Sequence, residues 1–344
     1  MPAPAGATSV HGLTAFLVFS GLIRLGVCQP HQAAPAVYMI GDSLVDVGNN
    51  NYLPLSIAKA NFPHNGVDYP AGKPTGRFSN GQNAADFLDY FALVRDQLVQ
   101  QLGPAAAQTH LSKSLFAIVI GSNDLFAYFT IGSIVSNQFN PQQYVDLMTS
   151  TFRNLLKTLY GMGARKVMVA GVGEIGCCPV QRKLNKTGEC NVELNYWSAK
   201  YNDGLKIMLE SLKSDSPGMN YAYFDTYGAM ANLFQKPDTY GIMIDLFYDS
   251  LTAIKWASWD VHDPLAKLND LTRSSIKEAC CGLGNLNADV PCIPISRFCS
   301  NRKKYVFWDL YHPTEAVSSM FSDLLYSGSQ EYTFPMNVKQ LLDI

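Results

Sequence analysis

The stretch Val37–Asn50, VYMIGDSLVDVGNN, decides the fold. Four apolar residues run directly into Gly41-Asp42-Ser43, and Gly48-Asn49-Asn50 follows at once. A short apolar run bounded by turn formers is the pattern of a strand buried on both faces, as in a parallel sheet. Gly, Asp and Ser are ordinary turn residues, so a plain turn is the first reading of the tripeptide. The alternative is a nucleophile at the carboxyl edge of the sheet, where open α/β folds place their ligands.

Further segments repeat the pattern. Leu115–Ile120 (LFAIVI) ends at Gly121-Ser122-Asn123-Asp124, Lys166–Ala170 (KVMVA) reads as the next strand, and Tyr221–Phe224 as another. A helix from Pro141 to near Gly161 presents Val145, Met148, Phe152, Leu155, Leu156 and Leu159 as a core-facing stripe. A last helix opens near Pro313. Strands alternating with helices imply a parallel sheet covered on both faces, a three-layer α/β/α sandwich. The 344 residues, 47% hydrophobic and 16% charged, supply ample core. No linker, charge block or repeat divides them, so residues 35–344 read as one domain. A net charge of -2 gives no electrostatic ground to expect nucleic acid.

Leu13–Ile23, LTAFLVFSGLI, is an apolar run of signal-peptide length, too short for a membrane span, and the leader would occupy about residues 1–30. It departs from the usual pattern in having no Lys or Arg before the apolar run and Arg24 close behind it. No other segment is long and apolar enough to cross a bilayer. Of eight cysteines, Cys28 lies in the expected cleavage region. The others form two clusters: Cys177, Cys178 and Cys190, then Cys280, Cys281, Cys292 and Cys299. In an oxidising compartment such clusters read as disulfides, with one thiol left over. Zinc is the rival, but the spacings are not paired CxxC units and no histidine lies among them. Asn185-Lys186-Thr187 is a glycosylation sequon.

Two nucleotide-like motifs carry little weight. Gly171-Val-Gly173-Glu-Ile-Gly176 matches GxGxxG, yet it continues into Cys177-Cys178-Pro179 rather than into the helix that a pyrophosphate needs. Gly72-Lys73 is followed by Pro74 where a P-loop has Ser or Thr. The GxSxG elbow is absent, and the six histidines form no HExxH pair. No cofactor and no metal are expected.

The strongest local chemistry is FWDLYHPTEA, Phe307–Ala316. Asp309 and His312 are three apart, so one turn sets carboxylate beside imidazole. The carboxylate can orient the ring through Nδ1 and leave Nε2 to take a proton from a nucleophile. A solvated turn that caps the following helix is the plainer reading of a lone DxxH. The N-terminus of that helix disfavours imidazolium while Asp309 favours it, a balance that would keep the histidine near neutral. Asn123 follows the strand ending at Ile120 and should emerge on the same edge as Ser43. Its amide can donate to an oxyanion or cap a helix.

Together these residues resemble the plant-type GDSL esterase/lipases of the SGNH hydrolases, α/β/α sandwiches of flavodoxin-like type. Three of that family's four marks are present in order: Gly41-Asp42-Ser43-Leu44, Gly121-Ser122-Asn123-Asp124 and Asp309-Leu310-Tyr311-His312. Similar text surrounds them, including DVGNNNYLP, PTGRFSNGQNAADFL, ACCGLG and CSNRKKYVFWD. The resemblance implies a secreted hydrolase that cleaves carboxylic esters, lipid or acetyl/acyl esters of small molecules or polysaccharides, through an acyl-serine. It assigns Ser43 as nucleophile, His312 as base, Asp309 as orienting carboxylate, and the Ser43 amide and Asn123 as oxyanion donors.

Two departures matter. The family's glycine block and an accompanying edge strand lie between an ADFL helix and the GxND strand. Here NAADFLDY runs directly into FALVRDQLVQQLG, and no glycine occurs between Gly81 and Gly103. The join keeps a stripe at Phe87, Phe91, Val94, Leu98 and Leu102, so one continuous helix is expected and the sheet should lack one edge strand. Roughly residues 242–275, with Trp256 and Trp259, are extra by the same comparison. A deletion and an insertion in one chain point to an alternative transcript or an imperfect gene model. They leave two rivals to an active enzyme, a catalytically dead binding protein and a product that does not accumulate. The loops carry no readable code for the natural ester, and nothing sets an oligomeric state.

Overall fold

The computed structural model describes residues 34–53, 59–86, 102–236 and 276–344. Four parallel strands, β1 (Val37–Gly41), β2 (Leu115–Val119), β3 (Lys166–Ala170) and β4 (Asn220–Phe224), lie side by side in chain order. Two two-residue strands, β5 (Cys281–Gly282) and β6 (Arg297–Phe298), form a separate antiparallel ribbon. The last strand, β7 (Thr333–Phe334), pairs antiparallel with β4. The sheet is therefore parallel except at this far edge, where a short strand between the last two helices folds back. Two residues give no periodicity to read, so the sequence carried no sign of it.

Among the described residues the helices of more than one turn are α1 (Pro104–Lys113), α2 (Ser122–Phe129), α3 (Pro141–Gly161), α4 (Val192–Asp215), α5 (Thr226–Gln235), α6 (Glu315–Ser327) and α7 (Val338–Asp343). Strand residues alternate between two helical layers, as the pleat requires. Tyr38, Phe116, Ile118, Val167, Val169, Tyr221 and Tyr223 pack with Phe152 and Leu156 of α3 and Leu205 and Leu209 of α4. Leu115, Ala117, Met168, Ala222 and Phe224 pack on the other face with Leu325 of α6 and Val338 and Leu341 of α7. This is the three-layer sandwich expected.

Helix α3 starts and stops where expected, and its ends explain why. Asn140 caps it from outside, accepting from Gln143 N–H at 2.9 Å while Gln143 Oε1 accepts from Asn140 N–H at 3.0 Å. Val145, Phe152 and Leu156 are buried, and Met148 and Leu159 pack against the core. Leu155 corrects the stripe: it is 53% exposed, because it sits a third of a turn away from Leu156. Pro313 also stands one residue further out than expected. Thr314 is the cap of α6, and Glu315 the first helical residue. The final helix is α7, not α6.

β1 pairs with β2 along one side, and among the described residues no strand pairs with its other side. The stripe Phe87–Leu98 and the extra segment 242–275 lie outside the described residues, as does the expected leader. Leu102, the end of that stripe, is exposed.

Candidate active site

The four parallel strands start in register, so they also end level: Gly41, Val119, Ala170 and Phe224 are laterally paired. All four line one cleft of about 1050 Å³ at the carboxyl edge of the sheet, together with Ser43, Asn123, Asp309 and His312. Open α/β sheets place ligands at this edge because the chain leaves every strand there in a loop.

Each motif has a local cause. A Cβ on Gly41 would lie 2.2 Å from Val119 O, so only glycine lets the end of β1 approach β2 this closely. Asp42 then breaks the strand: its N–H donates to Val119 O at 3.3 Å, and its carboxylate accepts from Leu44 N–H at 3.0 Å. The turn Ser43–Val45 that results presents Ser43 half-buried at the strand end. Gly121 sits at φ 120°, where a Cβ would meet the Tyr201 ring at 2.6 Å. This bend starts α2 and sets Asn123 in its first turn.

The Asp309–His312 turn is closed by Trp308 N–H donating to His312 O at 2.8 Å. Asp309 Oδ1 accepts from the Tyr311 and His312 amides, each at 2.9 Å. The same carboxylate stands 2.8 Å from His312 Nδ1 through both oxygens. Nε2 points the other way, 2.7 Å from Ser43 Oγ. A carboxylate only accepts, so Nδ1 carries the hydrogen and Nε2 offers its lone pair to the Ser43 hydroxyl. Asp309 thus closes its own turn and orients the ring, whereas the reading as a solvated cap of the following helix does not hold, because Asp309 is buried and Thr314 caps α6.

Asp309 and His312 are each 8% exposed. Burial alone would push the histidine's pKa down, but the charge and hydrogen bond of Asp309, with a smaller contribution from Asp42, carry it above the ordinary value. Burial would likewise raise Asp309, and the pairing with His312 and the two amides brings it below the usual carboxylate range. In the fold the carboxylate outweighs burial, so the His312 pKa is shifted upward rather than left in balance. Asp42 goes the other way and is raised, chiefly by burial.

The turn is braced from behind by cystines. Cys280 and Cys281 donate their N–H groups to Phe307 O at 2.9 Å and Trp308 O at 2.7 Å. They are bonded to Cys299 and Cys292. Trp308, fully buried against them, donates its indole N–H to Asn65 Oδ1 at 3.0 Å. The third disulfide joins Cys177 to Cys190, which staples the glycine-rich loop after β3. Among the described cysteines the unpaired thiol is Cys178, buried beside Tyr311, with its pKa pushed up by burial. Asn185 is exposed in a turn, its Oδ1 accepting from the Thr187 hydroxyl at 2.9 Å.

A second bracket, to which the sequence reading gave no role, comes from PTGRFSNG. Arg77, 7% exposed, is paired with Asp86 at 2.5 Å and donates to Val47 O at 3.1 Å. Asn83 Nδ2 donates to Asp46 O at 2.8 Å. These two contacts hold the loop that follows Ser43. The same segment reaches the histidine: Phe78 tilts over the His312 ring at 4.8 Å, and Asn80 Oδ1 accepts from Glu315 N–H at 3.0 Å. The signal for it was the family-like text PTGRFSNGQNAADFL, which names the stretch without giving any of its residues a task. Asn123 is exposed at the rim, with its amide making no hydrogen bond among the described residues, so the helix-capping reading does not hold for it. The Ser43 N–H makes none there either.

Residues 37–325 match the sequence profile of the GDSL-like lipase/acylhydrolase family. The chain belongs to that family. A GDSL esterase/lipase of Arabidopsis thaliana is 38% identical, with 96% of this chain and 97% of the relative covered. A second from the same plant is 30% identical with the same coverage. Membership makes the chain a carboxylic ester hydrolase by class. The alignment with the first relative runs over 399 positions against 344 residues here, so the relative carries at least 55 residues (399 less 344) without a counterpart.

Proposed function

We propose that the chain is a secreted serine esterase working through an acyl-enzyme, with Ser43 as nucleophile, His312 as base and Asp309 as its orienting carboxylate. The Ser43–His312–Asp309 relay, 2.7 Å and then 2.8 Å, is the observation that carries this reading. The Ser43 oxygen bonds to the ester carbonyl carbon while its proton passes to His312 Nε2. Collapse of the tetrahedral intermediate breaks the bond to the alcohol oxygen, and the alcohol leaves with that proton. Water repeats the sequence on the acyl-serine, yielding acid and free serine. The Ser43 N–H and the Asn123 amide, both free of other partners among the described residues, are the oxyanion donors. The substrate is an ester of a small molecule or a polysaccharide.

Secretion is supported by the apolar run 13–23, by three disulfides and by the exposed sequon at Asn185. No described helix is long and apolar enough to cross a membrane. Residues 1–30 act as the leader, and residues 35–344 as the single catalytic domain.

Activity is reduced by loss of the glycine block. Support comes from the residues without a counterpart and from the outer side of β1, with which no described strand pairs. The same observations favour a second reading, a folded chain that binds esters without turning them over. A fluorophosphonate decides between them. Covalent labelling at Ser43, located by peptide mass, supports the esterase, and a folded chain that stays unlabelled overturns it.

A further inference from the structure

Asn65 lines the cleft, although only 3% of it is exposed. Its Oδ1 accepts from the indole N–H of Trp308 at 3.0 Å. An indole N–H can only donate, so the oxygen must face Trp308 and the amide NH2 must face the other way. That NH2 makes no hydrogen bond among the described residues. Nor is it one of the unpaired side-chain atoms sealed from solvent, such as Tyr223 Oη or Thr226 Oγ1. It therefore opens on the cleft, as a donor held in place from behind. The carboxylates after β1 are engaged with their own loops, Asp42 accepting from Leu44 N–H at 3.0 Å and Asp46 from Gly48 N–H at 2.8 Å. The acceptor for Asn65 has to come from what enters the cleft.

This donor belongs to the histidine side of the cleft. Trp308, which holds it, immediately precedes Asp309, and its backbone N–H closes the turn on His312 O. The segment around Asn65 is also bonded to the one that carries Phe78: Gly66 N–H donates to Ser79 O at 2.9 Å, and Asp68 N–H to Asn80 O at 2.7 Å. Phe78 in turn tilts over the His312 ring. Asn123 stands apart from all of these, in the first turn of α2. The proposed mechanism gives the two sides different tasks. The oxyanion faces Asn123, whereas the alcohol oxygen faces His312 Nε2, from which it takes its proton. The alcohol part of a bound ester therefore lies along the wall that contains Asn65.

We infer that Asn65 is a substrate-binding residue whose Nδ2 donates to an acceptor oxygen in the alcohol part of the ester, so that the preferred alcohol is of the polyol or sugar kind rather than a hydrocarbon. The inference rests on the reading of Ser43 as nucleophile and His312 as base, because that reading sets which side the alcohol occupies. A hydrocarbon alcohol would cover the amide and leave it without a partner, whereas an oxygen at the same place satisfies it. The difference is about tenfold in affinity for one buried donor. Trp308 adds specificity, since it prevents the amide from turning its oxygen toward the ligand.

Titration of the Ser43→Ala chain reads this contact without turnover. The ligands form two pairs, each differing by one oxygen in place of a ring methylene. Tetrahydropyran-2-ylmethyl acetate and cyclohexylmethyl acetate carry the ring on the alcohol side. Methyl tetrahydropyran-2-ylacetate and methyl cyclohexylacetate carry it on the acyl side. The affinity ratio of oxygen to methylene should be about tenfold larger in the first pair than in the second. Asn65→Asp keeps an oxygen for the indole and removes the donor, so adding it to Ser43→Ala should abolish that excess. Equal ratios in the two pairs, a larger ratio on the acyl side, or no saturable binding overturns the inference, as does an excess that survives in the folded double variant. The comparison of pairs decides the matter by itself where Asn65→Asp does not fold. Labelling of Ser43 by a fluorophosphonate in the parent is read separately. Labelling with equal ratios sinks the Asn65 contact alone, whereas an alcohol-side excess without labelling supports the contact and sinks the nucleophile.

Discussion

His312 Nε2 stands 2.7 Å from Ser43 Oγ across 269 residues of chain. The serine hangs on the end of β1 and the histidine on a cystine-braced turn, so their contact is a product of the whole fold. Groups that act as a unit fail as a unit. Ser43→Ala and His312→Ala should each remove nearly all turnover, and the double variant should lose little more. Asp309→Asn should cost less than either, because the serine and histidine remain. Initial rates on a chromogenic ester check this, and a parent rate in Ser43→Ala would refute the mechanism.

The direction of the His312 shift fixes the pH profile. Catalysis needs the neutral ring, and the folded pKa lies above 6.5, so the acid limb of the labelling rate should fall above that value. Asp309→Asn removes the charge that raises it and should move the limb to lower pH. Stability runs the opposite way. The stabilisation that His312 gains from being charged is fully present below its unfolded pKa and is lost as pH rises through the folded one. Asp309, depressed in the fold, contributes stability above its unfolded pKa that is lost as pH falls through the folded value. Phosphonylation rates measured between about pH 5 and 9 test the profile. An acid limb below 6.5 in the parent would contradict it.

The legible parts of this molecule were those with a periodic or punctuated signal. The four parallel strands and α3 came within a residue of their observed ends, because apolar runs and Asn140-Pro141 state them locally. Ser43, Asn123, Asp309 and His312 were legible as residues, and the cleft gathers all four. What stayed hidden depends on long-range packing. The pairing of Cys280 with Cys299 and Cys281 with Cys292 follows from which backbone braces Trp308, and no spacing encodes that. The upward shift of His312 was missed for a related reason. From sequence the helix N-terminus and the carboxylate look comparable, whereas in the fold both carboxylate oxygens face Nδ1 at 2.8 Å.

Arg77 is not part of the cleft lining, yet it ties the loop after Ser43 to Asp86. The pair is almost fully buried, and removing one partner leaves an uncompensated charge. Arg77→Ala should cost about 3–5 kcal/mol of stability. The slower phosphonylation that results should be partly rescued by Arg77→Lys, which keeps the charge but not the two-pronged contact with Asp86. Chemical denaturation with labelling rates on the folded fraction separates the two effects. If Arg77→Ala leaves both unchanged, the bracket has no role in setting Ser43.

The missing glycine block sets the largest expected effect. On the proposed mechanism two oxyanion donors remain, the Ser43 N–H and the Asn123 amide, where the resemblance implies three. Loss of one such donor costs on the order of 10²–10³ in kcat, about 3–4 kcal/mol of transition-state stabilisation. The sheet adds a second penalty. Among the described residues no strand pairs with the outer side of β1, and a sheet edge beside the proposed nucleophile is a route to misassembly and to looseness at Ser43. A shift of even about 1 Å there is expensive to a reaction that depends on placement. Inserting a family-like glycine block after Leu88 should therefore raise the specific activity by at least roughly a hundredfold. Circular dichroism and unfolding curves must first show both chains folded. Equal specific activity in the two folded chains would mean that another group already supplies the third donor, and the proposed impairment would then be wrong.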